Sequence, residues 1–434
     1  MSDSKKAVLM IASVASMIDQ FNMPNIRLLQ EMGYEVHVAC NFKEGNTCDA
    51  KRIRKLKETL ASMQVVWHQW DCPRDVSSVK KCWNAYCQLR RLFRNNTFAW
   101  MHCHSPIGGA LARIAARKGK IRVIYTAHGF HFYRGAPLRN WMFYYPVEKL
   151  LAGWTDVLIT INREDYQFAG RRLKAGAVCY IPGVGIDVER FSDSDRRTHP
   201  KVKDAHFLNK YDIPQNAVVF LSTGELNRRK NHRVVLAVLA ALKRNDVYYL
   251  ICGQGPQREE LQREAKRLGI ERYVRMPGYQ EEMPWIYRNA DVFIFPSLQE
   301  GLPAALMEAM AAGLPCVVSD IRGNRELIPK SERFSLKDSK VSCGVVDLKK
   351  SFGGRYSYRY SQELLTILKR MLDDSWYRET CGFLNQKHVK KYGLAAAETR
   401  MRKIYEMEEA YASGISHYAG IQYGSGKRYS ADSR

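Results

Sequence analysis

The sequence predicts an α/β protein built from two doubly wound parallel sheets, and three observations carry that expectation. The chain has 434 residues, and at about 150 residues per domain this length calls for two or three domains. Hydrophobic residues make up 46% and charged residues 26%, the balance of a globular chain and not of a disordered or fibrous one. Short apolar runs alternate with helix-patterned segments twice, on either side of a charged, proline-containing break.

In the first half, residues 7–12, 35–40, 65–70, 100–103, 121–126 and 156–161 read as strands. Several are apolar almost without interruption, as strands are when helices cover both faces of a parallel sheet. Helical patterns lie between them. Ile53, Leu56, Leu60 and Met63 share one face, and so do Val79, Trp83, Tyr86, Arg90 and Phe93, with only the arginine breaking the stripe. Residues 187–212 interrupt the alternation with Ser-Asp-Ser-Asp-Arg-Arg at 192–197, and Pro200 and Pro214 follow. This segment reads as the connection between domains. Asp193 and Asp195 form a DxD pair, but with no apolar strand beside them they read as a solvated turn. Residues 218–222, 248–252, 291–296 and 316–319 are the strands expected of the second half. The chain turns helical from Ser361 to about Tyr411, and the Gly, Ser, Tyr and basic residues beyond it read as a disordered tail. The resulting division is a first domain over 1–188, a linker over 189–213, a second domain over 214–390, a helix over 391–412 and the tail over 413–434.

Charge narrows the partners. Lys and Arg number 68 against 44 Asp and Glu, a formal net charge of +24, which points to nucleic acid, an acidic membrane face or phosphorylated ligands. From Val76 to Val147 there is no acid, while twelve Lys or Arg are interleaved with aromatics such as Trp83, Trp100, Trp141, Phe143 and Tyr144. That composition suits an anionic bilayer or nucleic acid alike. No zinc-finger, basic-zipper or RNP-like signature supports nucleic acid. The 11 cysteines include no CxxC pair and read as reduced thiols. His102-Cys103-His104 suggests a metal cluster, but the alternation of strand faces is expected to separate the two imidazoles. No run of 18 apolar residues marks a membrane span. Lys5-Lys6 and the apolar run after them imitate a signal peptide, yet they lead into a helical pattern and read as a buried first strand.

The most informative segment is 296–315, PSLQEGLPAALMEAMAAGLP. It follows a strand ending Phe293-Ile294-Phe295; Pro303 suits the first turn of a helix, and Gly313 and Pro315 end it. A strand–loop–helix at the carboxyl edge of a parallel sheet is where such sheets bind ligands, and the helix N-terminus suits a diphosphate. Glu300 precedes the helix and Glu308 lies inside it. Eight positions on a helix span roughly 10–12 Å, about the distance between the two sugars of a nucleotide sugar, and each carboxylate can accept hydroxyl hydrogen bonds.

Glu300-x7-Glu308 in this setting resembles the signature of retaining glycosyltransferases of family 4, which have the GT-B fold. Gly253-x-Gly255 after residues 249–252 resembles that family's glycine turn, and residues 274–279 resemble the segment carrying its base-contacting loop, with Tyr279. Residues 224–232 look like its diphosphate-binding loop. Lys230 matches the family's lysine, but Glu225 stands where an arginine is usual, so Arg229 or Arg228 is the candidate second cation. His128, at the end of a strand in Thr-Ala-His-Gly-Phe-His, is placed to hydrogen-bond a donor-sugar hydroxyl or the reacting centre, and similar family members carry a histidine there. The residues between Ser13 and Met17 contain no glycine where the family often has a Gly-Gly loop. Residues 21–26 and 126–137 look like the bacterial branch that builds capsular or extracellular polysaccharide.

The resemblance implies two Rossmann-like domains facing across a cleft, the first for the acceptor and the second for the nucleotide sugar, with a C-terminal helix crossing back to the first. It implies His128, Lys230 and Glu300 as catalytic. Arg229, Gly253, Gly255, Tyr279, Gly301, Leu302, Pro303, Ala304 and Glu308 would bind the donor, and Asn22 and His131 belong to the acceptor side, although His131 also reads as local packing. It further implies a UDP-sugar donor, an undecaprenyl-diphosphate-linked acceptor, no metal, no cofactor, no nucleic acid, and a cytoplasmic enzyme peripheral on the inner face of the membrane.

Overall fold

The computed structural model describes residues 6–44, 48–75, 77–192, 202–328, 345–346, 358–412, 417–418 and 421–422; of these, 345–346, 358–361, 412, 417–418 and 421–422 are described as backbone only. The chain divides into two compact units, Met1–Val184 with Ala395–Arg434, and Gly185–Leu394.

The first unit is built on seven parallel strands: β1 (Ala7–Val14), β2 (Glu35–Asn41), β3 (Val66–Gln69), β4 (Trp100–His104), β5 (Arg122–Ala127), β6 (Val157–Thr160) and β7 (Ala177–Tyr180). Their order is β3-β2-β1-β4-β5-β6-β7, so the winding reverses at β1, with Val8 paired to Val36 on one side and Trp100 on the other. Val8 to Ala12 are wholly buried, which is why β1 is an unbroken apolar run: helices cover both its faces. β1 passes directly into the helix Ala15–Phe21, with Ser13 Oγ 2.7 Å from Ser105 Oγ and accepting from Gly108 N at 3.0 Å.

The second unit repeats the plan with β8 (Val218–Thr223), β9 (Val247–Cys252), β10 (Val274–Gly278), β11 (Val292–Phe295), β12 (Cys316–Ser319) and β13 (Val345–Val346), ordered β10-β9-β8-β11-β12-β13. Every pairing in the two sheets is parallel. The helix Leu394–Ala412 returns to the first unit from Ala395 onward. Its Tyr405 ring stacks on Trp100 at 5.1 Å, and its buried Glu408 holds Arg122 through two hydrogen bonds of 2.6 and 2.9 Å.

Several expectations change. β7 and β10 were not read as strands: the first is four residues long, and the second carries Pro277, which the edge position of β10 tolerates because one side of an edge strand needs no ladder donor. On the helix Val79–Asn95, the stripe through Val79, Trp83, Tyr86, Arg90 and Phe93 is only half buried: Tyr86 and Phe93 pack against the core, while Val79 is 80% exposed. Ala85 and Leu89 are the buried residues of the helix, while Trp83 is 63% exposed. The unit boundary falls between Val184 and Gly185, and the segment read as a linker belongs to the second unit, where it includes the helices Val188–Phe191 and Ala205–Lys210. Asp193 and Asp195 lie outside the described residues, as does the tail apart from a short antiparallel pairing of His417–Tyr418 with Ile421–Gln422. The described cysteines are free thiols.

Candidate active site

In the second unit, the carboxyl ends of β8, β9 and β11 meet where the winding reverses, the usual ligand position of such a sheet. The turns after β8 and β9 approach backbone to backbone. Gly224 N donates to Cys252 O at 3.0 Å, Leu226 N to Gln254 O at 2.8 Å and Gly253 N to Gly278 O at 2.9 Å. A Cβ on Gly253 would lie 1.8 Å from Gly224 O, and one on Gly255 would lie 2.5 Å from Leu226 O. Both glycines are therefore required by close approach, and both have positive φ. Tyr279 follows Gly278 directly and leaves its ring partly exposed beside this turn.

The loop between β8 and the helix His232–Leu242 carries the cations. Asn227 caps the short turn Arg228–Lys230 by accepting from Lys230 N at 3.1 Å, and Asn231 adopts a left-handed conformation beyond it. This geometry buries Lys230 against Phe295, with Nζ 4.4 Å from the ring centroid and 2.9 Å from Glu300 Oε1. Arg229 Nη1 donates to the same carboxylate oxygen at 2.7 Å and to Gln299 O at 3.0 Å. Arg228 is exposed, and Glu225 accepts from Asn227 Nδ2, so of the two candidate arginines it is Arg229 that lies beside Glu300.

Burial pushes the Glu300 carboxyl up, but Lys230, then Arg229, and the hydrogen bonds to Glu300 outweigh it and hold the group below the ordinary carboxylate range. Burial likewise lowers Lys230, against the attraction of Glu300. The result is a buried acid kept ionised by two cations.

Glu308 has the opposite environment. Burial raises its pKa, against a 3.0 Å hydrogen bond donated by Tyr287 Oη and the field of Arg190. Tyr287 Oη also lies 3.2 Å from Thr223 Oγ1, and a Cβ on the next residue, Gly224, would lie 2.9 Å from Lys230 Cε. Glu300–Lys230–Gly224–Thr223–Tyr287–Glu308 is thus one continuous chain of neighbours, with the two acids at its ends. The helix Ala304–Ala311 opens between those acids in sequence. Pro303 stands at its N-cap, not in its first turn, because its backbone is extended, and no side chain caps the helix. Its N-terminal partial charge is left to other partners. Gly301 packs against the helix Arg322–Leu327 so closely that a Cβ on Gly323 would lie 2.4 Å from Gly301 O, and buried Arg322 donates to Glu300 O at 3.1 Å. Leu302 is buried.

Sequence reasoning missed Tyr287, Thr223 and Arg322. They lie on other elements, and nothing local marks them except the apolar setting of Tyr287.

In the first unit, His128 follows β5 and its Nε2 lies 3.1 Å from Nδ1 of His104, the last residue of β4. Its Nδ1 makes no hydrogen bond among the described residues. The expected separation of His102 and His104 is overturned. Residues two apart on a strand share a face, and the rings lie 4.2 Å apart. Their nitrogens are engaged, His102 with Tyr405 Oη at 2.9 Å and Thr126 Oγ1 at 2.8 Å, and His104 with His128 and with Met10 Sδ. Burial lowers His102 to about 3 and His128 to about 4, and pushes His104 well down, so all three are neutral near pH 7. Among the described residues no group of three His, Cys, Asp or Glu is placed to hold a metal ion.

His131 stacks on Tyr144 at 4.6 Å. Asn22 is 1% exposed, and its amide joins two helices, donating to Met17 O at 2.9 Å and accepting from Asn25 at 3.2 Å. Its side chain is committed to the fold.

Two Rossmann-like units of this kind, one carrying paired acids and cations at its winding reversal, define the GT-B class of glycosyltransferase. The family description Glycosyl transferase 4-like matches residues 8–162, and Glycosyl transferases group 1 matches residues 204–341. EpsD of Bacillus subtilis (strain 168), named as a glycosyltransferase, is 34% identical over 333 residues, 75% of this chain and 82% of that protein. A galactosyltransferase of Escherichia coli, named for transfer from UDP-Gal to α-D-GlcNAc-diphosphoundecaprenol, is 29% identical over 263 residues, 59% of this chain and 66% of its own. The crystal structure of HepE from Anabaena in complex with UDP and glucose superposes with a TM-score of 0.70 at 15% identity, covering 92% of this chain and 99% of HepE. The chain belongs to the family 4 glycosyltransferases and is an enzyme of sugar transfer.

Proposed function

We propose that this glycosyltransferase moves a hexose from a UDP-sugar, with retention of anomeric configuration, onto a sugar carried by undecaprenyl diphosphate in the assembly of a capsular or extracellular polysaccharide at the cytoplasmic face of the membrane. The observation that carries the reading is the ionised Glu300 held by Lys230 and Arg229 at the start of an uncapped helix, with Glu308 at the other end of the same chain of neighbours. The names of the E. coli relative and of the HepE complex support the lipid carrier and the uridine nucleotide.

In this reading Glu300 accepts hydrogen bonds from hexose hydroxyls and Glu308 from ribose hydroxyls, while Tyr279 flanks the base. Gly253 and Gly255 let the backbone approach the nucleotide, and residues 301–304 present N–H groups to the diphosphate. As the sugar–phosphate bond breaks, Lys230 and Arg229 stabilise the charge gathering on the departing UDP. The acceptor hydroxyl attacks from the leaving-group side, which gives retention. His128 contributes a neutral imidazole with Nδ1 available to a sugar hydroxyl, and His131 is assigned to the acceptor side. The amide of Asn22 drops out of the acceptor set because the fold uses it.

Thermal unfolding with UDP, GDP and ADP tests the donor. A nucleotide present at ~100 times its Kd adds about 2.7 kcal/mol, so UDP alone is expected to raise the melting temperature. Equal shifts with all three, or none, would contradict the assignment. Donor turnover that survives EDTA checks that side chains and not an ion receive the diphosphate charge.

A further inference from the structure

The helix Leu138–Ala152 has two apolar faces where a helix of a domain surface needs one. Its inner face is accounted for. Trp141 and Tyr145 pack with Phe132 and Phe168, and Glu148 is buried under Arg113, which donates to it at 2.6 and 3.2 Å. Among the described residues its outer face has no partner: Leu138, Met142, Phe143, Val147 and Leu150 are exposed, Met142 by 63% and Phe143 by 70%. At 3.6 residues per turn these five side chains fall within about half of the helix circumference.

Five large apolar groups side by side are unlike the scattered exposed residues of ordinary surfaces. Exposed cations border them. Arg139 and Lys149 lie on the same arc, Arg134 precedes the helix, and Arg117 of the adjoining helix Pro106–Gly119 lies 4.5 Å over the ring of Trp154. No acid occurs from residue 76 to 147, and Glu148 is spent on Arg113.

We propose that this face docks on an anionic lipid bilayer, with the apolar side chains in the headgroup–acyl boundary and the flanking cations on lipid phosphates. The charge pattern selects the occupant. A second copy of the chain, paired face to face, would set Arg139 and Lys149 against their own kind, and a nucleic acid backbone would find an apolar centre without donors. The proposal deepens the reading above, which puts the acceptor on a lipid, and names the element that meets the membrane. Among the described residues no helix is long and apolar enough to cross one.

The test is sedimentation of the full chain with vesicles of phosphatidylcholine, alone or mixed with phosphatidylglycerol, at low and high salt. The wild type is expected to pellet with the mixed vesicles, less so as salt rises. M142S/F143S should lose at least about tenfold in partitioning, because one buried side chain of this size is worth that much. V147S/L150S, on the next turn, repeats the test should the first variant fold poorly, and R139E/K149E should abolish the preference for phosphatidylglycerol. Wild-type protein left in the supernatant, or variants that pellet equally well, would overturn the proposal. So would a wild-type dimer that M142S/F143S converts to monomer, or RNA capture lost in the same variant. The UDP melting shift is read in parallel: its persistence without vesicle binding overturns the docking alone, and its absence with vesicle binding overturns the donor reading alone.

Discussion

Replacing Lys230 with methionine isolates the cationic contribution at the candidate leaving-group site, since methionine keeps much of the side-chain volume. Nζ lies 2.9 Å from Glu300 Oε1, and both side chains are only 10% exposed, so little water screens the pair. What remains after K230M is Arg229, whose side chain is 41% exposed and therefore a weaker source of field at the carboxylate. Two losses follow. Breaking a buried ion pair by removing one partner costs about 3–5 kcal/mol of stability; the lower part of that range applies here because Arg229 stays. The loss of a positioned charge for the developing diphosphate should slow transfer about 10²–10³-fold. Because that charge develops in the transition state, the loss belongs in kcat, with KM changed little. The assay is initial-rate release of UDP across a donor series, at a temperature well below the melting point of the variant. A K230M enzyme with wild-type kcat, or one whose defect lies entirely in KM, would refute the leaving-group role.

The remaining predictions concern separate parts of the same unit. E308Q weakens hydrogen bonding to ribose, and calorimetry should show UDP affinity falling about 10- to 100-fold, while kcat at saturating donor is largely kept. G253A sets a Cβ 1.8 Å from Gly224 O and forces the two turns apart, so the melting temperature should drop by several degrees and UDP binding should weaken; an unchanged melting curve would show that the turns yield freely. Arg267 leads, with Arg233, in lowering Glu264 to about 2, and since both arginines are well exposed the stabilisation is discounted to about 1 kcal/mol. A depressed carboxyl stabilises the fold above its ordinary range and stops doing so as pH falls through its folded value. E264Q should therefore be less stable than wild type near pH 7, and the difference in urea unfolding should vanish as pH approaches about 2.

The strand–loop–helix with Glu300 and Glu308 was legible because everything that defines it is local: an apolar run, a loop acid, strong helix formers and a terminal glycine. The loop at 224–232 was legible for the same reason, up to the choice of Arg229, which depends on how Asn227 and Asn231 turn the chain. The partners of these acids were not legible. Tyr287 and Arg322 reach the site only because β8, β11 and β12 lie side by side, and parallel pairing joins residues far apart in sequence. The helix Val79–Asn95 was legible in part, with Tyr86 and Phe93 of its stripe against the core. Periodicity locates an apolar stripe, but Ala85 and Leu89 are the residues that the fold covers fully, and the larger Trp83 is left outside. The alternation of strand faces separates neighbours and not alternate residues, so His102 and His104 share a face, and the hydrogen bonds of His102 come from β5 and from a helix some three hundred residues away.

The return of the helix Leu394–Ala412 to the first unit also dictates when that unit can be finished. His102 waits for Tyr405, and Arg122 waits for Glu408. A ribosome adding about 5–20 residues per second needs roughly 10–45 s to travel from residue 184 to residue 412. Throughout that interval the nascent first half lacks the helix that supplies Tyr405 and Glu408, so a truncation before residue 395 is expected to destabilise the domain synthesised first.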